Sequence, residues 1–175
     1  MANLEILEFP DPRLRTVARP VEAFDADLGR LINDLLETMY SAQGIGLAAT
    51  QVNIHRQLLV LDVSETQDQP HIYINPRIIE SEGSETCEEG CLSVPGIYAD
   101  VVRAEKILIS ARDPDGNPFE EKLAGMHAVC LQHEMDHLQG KLFVDYLSPL
   151  KQLMIRKKLK KQRRQEIKNT SGVRM

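Results

Sequence analysis

The stretch MHAVCLQHEMDHLQG, residues 126–140, contains the pattern His-Glu-X-X-His. Its apolar residues and histidines recur at helical spacing, and Gly140 is a natural helix end. On a helix, His133 and His137 lie about one turn apart, so both imidazoles project from one face and can share one metal ion. Glu134 is rotated by about 100° from His133, so its carboxylate can reach a water molecule beside that ion. The stretch therefore predicts a helix that carries two metal ligands and a general base.

The third ligand decides the class of enzyme, because a catalytic metal usually has three protein ligands and one water. Phe143 occupies the position of the third histidine of a metzincin, which excludes that class. Asp145 lies in no motif and Glu166 lies deep in a basic tail, so neither is a good candidate. The third ligand is therefore expected upstream of the helix.

Three cysteines supply the remaining candidates. Cys130 lies about 10 Å along the helix axis from His137, so its short side chain cannot reach the shared ion. Cys87 and Cys91 lie on a separate segment, and the glycine-containing turn predicted around Cys91 can hold a thiolate rigidly. Turn chemistry favours Cys91, while Cys87 remains an alternative and the two together could bind a structural zinc. The odd number of cysteines predicts no disulfide framework.

The composition is that of an ordinary globular protein, since 42% of the 175 residues are hydrophobic and 27% are charged. The length fits a single domain. No apolar run reaches the ~18 residues of a membrane span, and the first residues lack the features of a signal or transit peptide. A cytoplasmic protein is therefore expected.

The net charge of -5 is unevenly distributed. Residues 151–175 hold 10 Lys and Arg and one Glu, a balance of +9, whereas residues 1–150 hold 11 Lys and Arg and 25 Asp and Glu, a balance of -14. An acidic body with a basic tail suggests a polyanionic partner for the tail. We expect a catalytic metallohydrolase domain over residues 1–150 and a basic helix over residues 151–175 whose end is disordered.

The remaining pattern predicts strands in the middle of the chain and helices at both ends. An amphipathic helix begins near Asp25 and is expected to end at Gly44. Ser148 is suited to cap a last, basic helix. Strands are expected over residues 57–63, 71–79, 101–112 and 119–123. This order is typical of an α+β fold, with antiparallel or mixed sheets packed around the central helix of residues 126–140.

Three segments together resemble the signature motifs of one family, the peptide deformylases. They are residues 44–51 (GIGLAATQ), 89–93 (EGCLS) and 132–140 (QHEMDHLQG), in the family's order and approximate spacing. The resemblance runs from residue 4 to the start of the tail. It implies a metal-dependent hydrolase that removes the N-formyl group from the first methionine of new polypeptides and releases formate.

The resemblance also implies a metal site formed by Cys91, His133 and His137, with water as the fourth ligand. The family's usual ion is Fe2+, and Zn2+, Ni2+ or Co2+ can take its place. Two imidazoles and a thiolate suit these ions, and the donor set does not choose among them.

Roles for the surrounding residues follow from the same resemblance. Glu134 would accept a proton from the attacking water and pass it to the departing amine. The side-chain amide of Gln51 and the backbone N–H of Leu92 would stabilise the negative formyl oxygen. Apart from the resemblance, an exposed Gln51 is the simpler expectation. Substrate contacts are implied for Ile45, Gly46, Gly90, Met126, Val129 and Cys130, and core packing is the alternative for the apolar members of this set.

Two acidic residues near the site are expected to support it. Glu89 is expected to pair with Arg103 and to hold the segment that contains Cys91. Asp136, next to His137, is expected either to support a histidine or to form a salt bridge.

For the tail, the resemblance suggests docking on the ribosome, with the basic residues of 151–168 on ribosomal RNA. A solvated helix face is the alternative. The expected substrates are formyl-methionyl nascent peptides, and no DNA or membrane partner is expected. Two other functions compete, a metallopeptidase with the same His-Glu-X-X-His motif and a non-enzymatic zinc module with a nucleic-acid-binding tail. Neither explains all three segments.

Overall fold

Two β-sheets and three α-helices are the main elements of residues 2–173, the part of the chain that the computed structural model describes, with side chains described for residues 2–169. The helices are α1 (Ala26–Ser41), α2 (Gly125–Leu138) and α3 (Pro149–Val173). A five-stranded sheet, in the order β1-β2-β3-β6-β7, contains β1 (Gly46–Ala48), β2 (Leu58–Leu61), β3 (His71–Glu82), β6 (Lys106–Arg112) and β7 (Pro118–Ala124). A two-stranded sheet pairs β4 (Glu85–Cys91) with β5 (Val94–Arg103). All these strand pairs are antiparallel, so the α+β class is confirmed and the sheets are antiparallel rather than mixed.

Strand β2 lies at the centre of the main core and is buried on both faces. Leu58 and Val60 belong to one core cluster with the buried side chains of α1. Leu59 and Leu61 belong to another cluster with Ala128 and other buried side chains of α2. Because alternate residues of a strand face opposite sides, a strand covered on both sides requires a continuous apolar run. The run Leu-Leu-Val-Leu thus places α1 and α2 on opposite faces of the sheet.

A third cluster joins the N-terminal segment, the two-stranded sheet and α3. It contains Phe9 and Leu14 from the N-terminal segment and Val101 from β5. From α3 it contains Ile155 and Leu159, both of which are buried. The basic helix therefore packs against the rest of the protein along one face.

The N-terminal segment also ties two loops together through its backbone. The N–H of Leu7 donates to the carbonyl of Gln51 at 2.7 Å, and the N–H of Phe9 donates to the carbonyl of Ser93 at 2.7 Å. Gln51 lies in the 3-10 helix Ala49–Val52 that follows β1, and Ser93 lies in the turn that follows β4. The segment thus bridges the two sheets next to the end of β4.

The single strand predicted over residues 101–112 is wrong. Strand β5 ends at Arg103 in the small sheet, and β6 begins at Lys106 in the large sheet. Between them, the Gln132 side chain accepts a hydrogen bond from the Ala104 N–H at 3.0 Å and donates one to the Ala104 carbonyl at 2.9 Å. Helix α2 therefore fixes the point at which the chain changes sheets.

The start of α1 agrees with its sequence signal, and its end does not. Asp25 is the N-cap, with its side chain accepting a hydrogen bond from the Leu28 N–H at 3.0 Å. The helix ends at Ser41, before the predicted end at Gly44. Gln43 has φ 59°, in the left-handed region, which a continuing α-helix cannot contain.

No helix within residues 2–173 is long and apolar enough to cross a membrane. Helix α3 extends to Val173. The rest of the tail end that we expected to be disordered, residues 174–175, lies outside the described residues.

Replacing Leu35 with alanine should lower the free energy of unfolding by about 2.7–5 kcal/mol, because Leu35 is fully buried between α1 and β2. Asn33→Ala is the matched control, since Asn33 is exposed on the same helix, and should change that free energy by no more than about 0.5 kcal/mol. Urea unfolding followed by circular dichroism measures both variants. Equal losses in the two would contradict the packing of α1 described above.

Candidate metal centre

Three side chains from two separate elements converge on one point. Cys91 stands at the end of β4, and His133 and His137 lie one turn apart on α2. The Sγ atom of Cys91 is 3.4 Å from Nε2 of His137, and the Nε2 atoms of the two histidines are 3.3 Å apart. The three donor atoms all lie within 4.8 Å of one another. The structure thus brings together the three ligands that the sequence analysis predicted.

The spacing and the donor types fit one divalent ion. Tetrahedral coordination with a metal–sulfur distance near 2.3 Å and metal–nitrogen distances near 2.0–2.1 Å places neighbouring donors about 3.3–3.6 Å apart. The distances from Cys91 to His137 and between the two imidazoles match that range. Two imidazoles and a thiolate form a donor set for iron, zinc, nickel or cobalt. Cys87 is not part of this group, so the structure does not favour it as the third ligand.

Cys91 is held by a strand end rather than by the glycine turn that we predicted. Gly90 lies within β4, paired with Tyr98 of β5, and the turn begins only at Leu92. The Ser93 N–H donates to the Cys91 sulfur at 3.4 Å. This hydrogen bond helps to fix the position of the sulfur beside α2.

Glu89 links His133 to a buried arginine. Its Oε1 atom is 2.8 Å from Nδ1 of His133, and Arg103 donates two hydrogen bonds to its carboxylate, at 2.7 and 2.8 Å. Burial alone would raise the pKa of Glu89, but the hydrogen bonds from Arg103 and His133 lower this pKa to about 2. An ionised carboxylate on Nδ1 fixes the tautomer of His133 that leaves Nε2 free for a metal.

The pairing of Glu89 with Arg103 is confirmed, but the contact of Glu89 with His133 was not predicted. A signal for it was present in the sequence. Glu89 and Cys91 are two residues apart on one strand, so they face the same side and meet the same helix.

Asp136 continues this network on the far side of Arg103. It accepts a hydrogen bond from Nη1 of Arg103 at 2.6 Å and one from the hydroxyl of Tyr146 at 2.8 Å. Of the two roles predicted for Asp136, the structure contains the salt bridge. Arg103 of β5 therefore holds α2 both through Glu89 and through Asp136.

The imidazoles lie in a buried site of negative character. Burial acts to lower the pKa of His133, yet Cys91 and Glu89 raise this pKa well above its usual value. Burial lowers the pKa of His137 well below its usual value. A site that draws a proton onto one buried imidazole also attracts a metal cation, which displaces that proton on binding.

Glu134 lies beside the three ligands without joining them. Its Oε1 atom is 4.0 Å from Nε2 of His133, and its buried Oε2 atom has no hydrogen-bond partner among the described residues. Burial raises the pKa of Glu134 to about 7. A Cβ atom at Gly46 would lie 2.7 Å from Oε1 of Glu134, so the glycine leaves the space that this carboxylate occupies. A buried carboxylate with this pKa and a free oxygen is suited to general base catalysis near neutral pH.

Gln51 is buried, which excludes the exposed alternative. Its Oε1 atom accepts a hydrogen bond from the Ala48 N–H at 2.9 Å. Its Nε2 atom donates to Oγ of Ser93 at 3.0 Å and lies 3.6 Å from the sulfur of Cys91. Because the Ala48 N–H requires an oxygen opposite it, the amide nitrogen of Gln51 must point towards the metal site.

A cavity of about 460 Å³ is lined by Cys91, His133 and Glu134. It lies between residues 43–46 at the start of β1 and residues 87–91 of β4, and among the described strands neither β1 nor β4 has a partner on its outer edge. Ile45 and Met126 are 48% and 57% exposed, so core packing is excluded for these two, whereas Val129 and Cys130 are buried. All six residues predicted to contact substrate line the cavity: Ile45, Gly46, Gly90, Met126, Val129 and Cys130.

Some residues that line this cavity lie outside the three sequence motifs. Tyr98 is the largest of them, and Cys87 also contributes. Tyr98 reaches the cavity because the β4–β5 register places it opposite Gly90. A register of this kind depends on pairing between strands, so no local pattern around Tyr98 could have predicted it.

Comparison with known proteins finds one family. The model of the polypeptide deformylase family matches residues 3–153. The peptide deformylase of Pseudomonas aeruginosa is 59% identical over 167 residues, which cover 95% of this chain and 99% of that protein. A crystal structure of a peptide deformylase from Legionella pneumophila has a TM-score of 0.91 at 51% identity, covering 95% of this chain and 98% of that one. A peptide deformylase from Ehrlichia chaffeensis in complex with actinonin has a TM-score of 0.89 at 40% identity, covering 93% and 98% of the two chains.

Glu89→Gln should weaken the affinity for a divalent ion by about tenfold to a hundredfold, because the charged partner of His133 Nδ1 is lost. Glu88→Gln is the matched control, since Glu88 is the neighbouring residue but is exposed, and its affinity should stay close to that of the unaltered protein. Titration of zinc against a chromophoric chelator measures both affinities. An unchanged affinity in Glu89→Gln would contradict the role given to this carboxylate.

Proposed function

The chain belongs to the polypeptide deformylase family and removes the N-formyl group from nascent polypeptides, and we propose that it does so at the ion site of Cys91, His133 and His137. The observation that carries the proposal is the meeting of these three donors beside Glu134, with Cys91 and His133 lining one cavity. Such a set leaves room for a fourth, exchangeable ligand, which is typical of catalytic rather than structural sites.

The ion that we propose for the cell is Fe2+, and Zn2+, Ni2+ and Co2+ are expected to substitute for it. Support comes from the resemblance to the family and from the soft, anionic donor set of one thiolate and two imidazoles. When bound, a divalent ion supplies a Lewis acid that makes water more acidic and draws electron density from the formyl oxygen. Metal analysis of protein purified without oxygen identifies the native ion.

Glu134 is the residue that we assign to proton transfer. Its free Oε2 atom takes a proton from the water that attacks the formyl carbon, and the carboxylate then delivers this proton to the amine nitrogen as the carbon–nitrogen bond breaks. Burial supports this role, because a pKa of about 7 allows the carboxyl group both to accept and to release a proton near neutral pH.

Gln51 and Leu92 are the donors that we assign to the formyl oxygen. The Nε2 atom of Gln51 is directed towards the thiolate of Cys91 by its bonds to Ala48 and Ser93, and it needs no reorganisation to meet a developing negative charge. Leu92 follows Cys91 directly and lines the cavity, which supports a role for its backbone N–H. A single donor of this kind typically contributes about 2.7–4 kcal/mol to lowering the barrier.

We propose that the cavity holds the methionine side chain of the substrate against one wall and its peptide backbone between two strand edges. Val129 and Cys130 of α2 form a buried apolar wall beside His133, with Met126 at its rim. The outer edges of β1 and β4 flank the opening, and we propose that the substrate backbone lies between Gly46 and Gly90 as an added strand. This arrangement directs the formyl end of the peptide towards the ion.

Glu134→Gln should lower the rate of formate release from a formyl-Met peptide by about 10²- to 10⁴-fold while the metal content stays unchanged, because the proton carrier is lost but the three ligands remain. Glu120→Gln, at an exposed position of β7, is the control that should keep full activity. A colorimetric formate assay, together with mass spectrometry of the peptide, follows the reaction. Cleavage of a peptide bond instead of formate release would indicate a metallopeptidase, and full activity of Glu134→Gln would contradict the assigned role.

We further propose that residues 1–150 carry the catalysis and that the basic helix contacts ribosomal RNA in the cytoplasm, where nascent chains emerge. Some of its basic residues are engaged within the protein, since Arg156 lies over the ring of Phe9 and Arg163 lies 3.4 Å from Glu8. Lys157 and Lys158 are exposed. Their ammonium groups can therefore meet phosphates.

Charge removal tests this contact better than deletion of α3, which would also remove the buried side chains of Ile155 and Leu159. The double variant Lys157→Gln and Lys158→Gln should bind ribosomes more weakly and lower the slope of log affinity against log salt by about 1–2. Lys106→Gln with Lys122→Gln, two exposed lysines of the large sheet, is the control of equal charge. Co-sedimentation at several salt concentrations measures both, and equal binding by the two variants would overturn the proposal.

A further inference from the structure

Asp62 is a buried acidic residue that has no part in the chemistry assigned above. It follows β2 directly and is 2% exposed. Its carboxylate accepts hydrogen bonds from the Tyr40 hydroxyl at 2.6 Å, from the N–H and the hydroxyl of Ser64 at 2.9 and 2.5 Å, and from the Gln69 N–H at 3.1 Å. Burial acts to raise the pKa of Asp62, but the hydrogen bonds from Ser64 and Tyr40 hold this pKa below its usual value. The ionised carboxylate thus joins the end of α1 to the residues that follow β2.

The backbone of Asp62 holds the start of β1. Its N–H donates to the carbonyl of Ile45 at 2.8 Å, one pair beyond the partners Gly46 and Leu61 of the β1–β2 ladder. Neighbouring residues of a strand direct their backbone groups to opposite sides, so this bond turns the N–H and the carbonyl of Gly46 towards the outer edge of β1. That edge is the one at which we propose that the substrate backbone pairs.

Tyr40 holds the other end of the same segment. It lies in the last turn of α1, and residues 43–46, which line the cavity, follow soon after. The N–H of Gln43 donates to the carbonyl of Tyr40 at 3.0 Å. Both ends of the segment are therefore connected to Asp62, one through the hydroxyl of Tyr40 and the other through the carbonyl of Ile45.

We propose that Tyr40 and Asp62 are positioning residues, which hold residues 43–46 in the conformation that binds the substrate backbone. The inference rests on the function proposed above. Neither residue is among those that line the cavity, so both act through the segment and not by contact with the substrate. Without the bond between them, residues 43–46 sample other conformations, and substrate binding has to order the segment. The affinity for substrate then falls, whereas the ion ligands and Glu134 keep their places.

Tyr40→Phe tests this role, because it removes only the hydroxyl. The ring packs against the core cluster that α1 and β2 share, and phenylalanine keeps that packing. In a formate assay with the metal-loaded protein and formyl-Met-Ala-Ser, we expect KM to rise by about two- to tenfold and kcat to stay within about twofold. A higher KM at constant kcat indicates lost binding rather than lost chemistry.

Tyr73→Phe is the matched control for a loss of stability alone. The hydroxyl of Tyr73 donates to the carboxylate of Glu121 at 2.6 Å, the same distance as in the pair of Tyr40 and Asp62. Tyr73 belongs to β3, which β2 separates from β1. Thermal unfolding followed by circular dichroism should show a lower midpoint for both variants, since each loses a hydrogen bond to a carboxylate. Only Tyr40→Phe should raise KM.

Failure of this inference is distinguishable from failure of the proposed function. A KM that Tyr40→Phe leaves unchanged, or raises no more than Tyr73→Phe does, would overturn the inference, and so would a fall in kcat at constant KM. Turnover of formyl-Met-Ala-Ser by the unaltered protein would still support the function in these cases. Absence of formate release from the unaltered protein would instead count against the proposed site itself.

Discussion

The carboxylate of Glu89 is the constraint on which the metal centre depends. It accepts hydrogen bonds from Arg103 and contacts Nδ1 of His133, so one buried group connects β4, β5 and α2. Removing two charges from water costs several kcal/mol per ion, which their attraction offsets only with good geometry, so this pair adds little to net stability. Its contribution is to fix the position of the His133 imidazole relative to β4 and β5. Since Arg103 also bonds Asp136, helix α2 is held at two points one turn apart, and His133 lies at one of them.

The location of the site follows from the way the two sheets end. Strand β1 is an outer strand of the large sheet, next to β2, which is covered on both faces. Strand β4 is likewise an outer strand of the small sheet. Exposed strand edges invite pairing with other chains and are usually protected. Here the two edges flank one cavity, and the added strand that we propose for the substrate would pair with them.

The parts of the protein that the sequence could predict are those set by neighbours along the chain. The helix of His133 and His137 and the cap at Asp25 depend on spacings within one or two turns, and both are present in the structure. The other motif residues of the site, Cys91 and Gln51 among them, could be named only through the resemblance to the family. The break between β5 and β6 could not be predicted from the sequence. It depends on the contact of Ala104 with Gln132, which belongs to a helix 28 residues further along the chain. The apolar pattern of residues 101–112 is the same whether these residues form one strand or two strands in different sheets.

Tertiary contacts also explain why the supporting residues were harder to predict than the ligands. Glu89 was assigned to Arg103 alone, because its second partner lies 44 residues away on α2 and only its two-residue spacing from Cys91 indicates that it faces that helix. Tyr98 carries no local signal, because its position depends on strand register. The buried state of Gln51 likewise results from bonds to Ala48 and Ser93 that form only when both sheets are in place.

The N-terminal segment gives the catalytic apparatus an anchor outside the substrate cavity. The N–H of Leu7 donates to the carbonyl of Gln51 and the N–H of Phe9 donates to the carbonyl of Ser93, so the N-terminal segment connects the 3-10 helix of Gln51 to the turn that follows Cys91. Because the side chains of Leu7 and Phe9 are buried, the positions of both loops depend on residues that do not line the cavity.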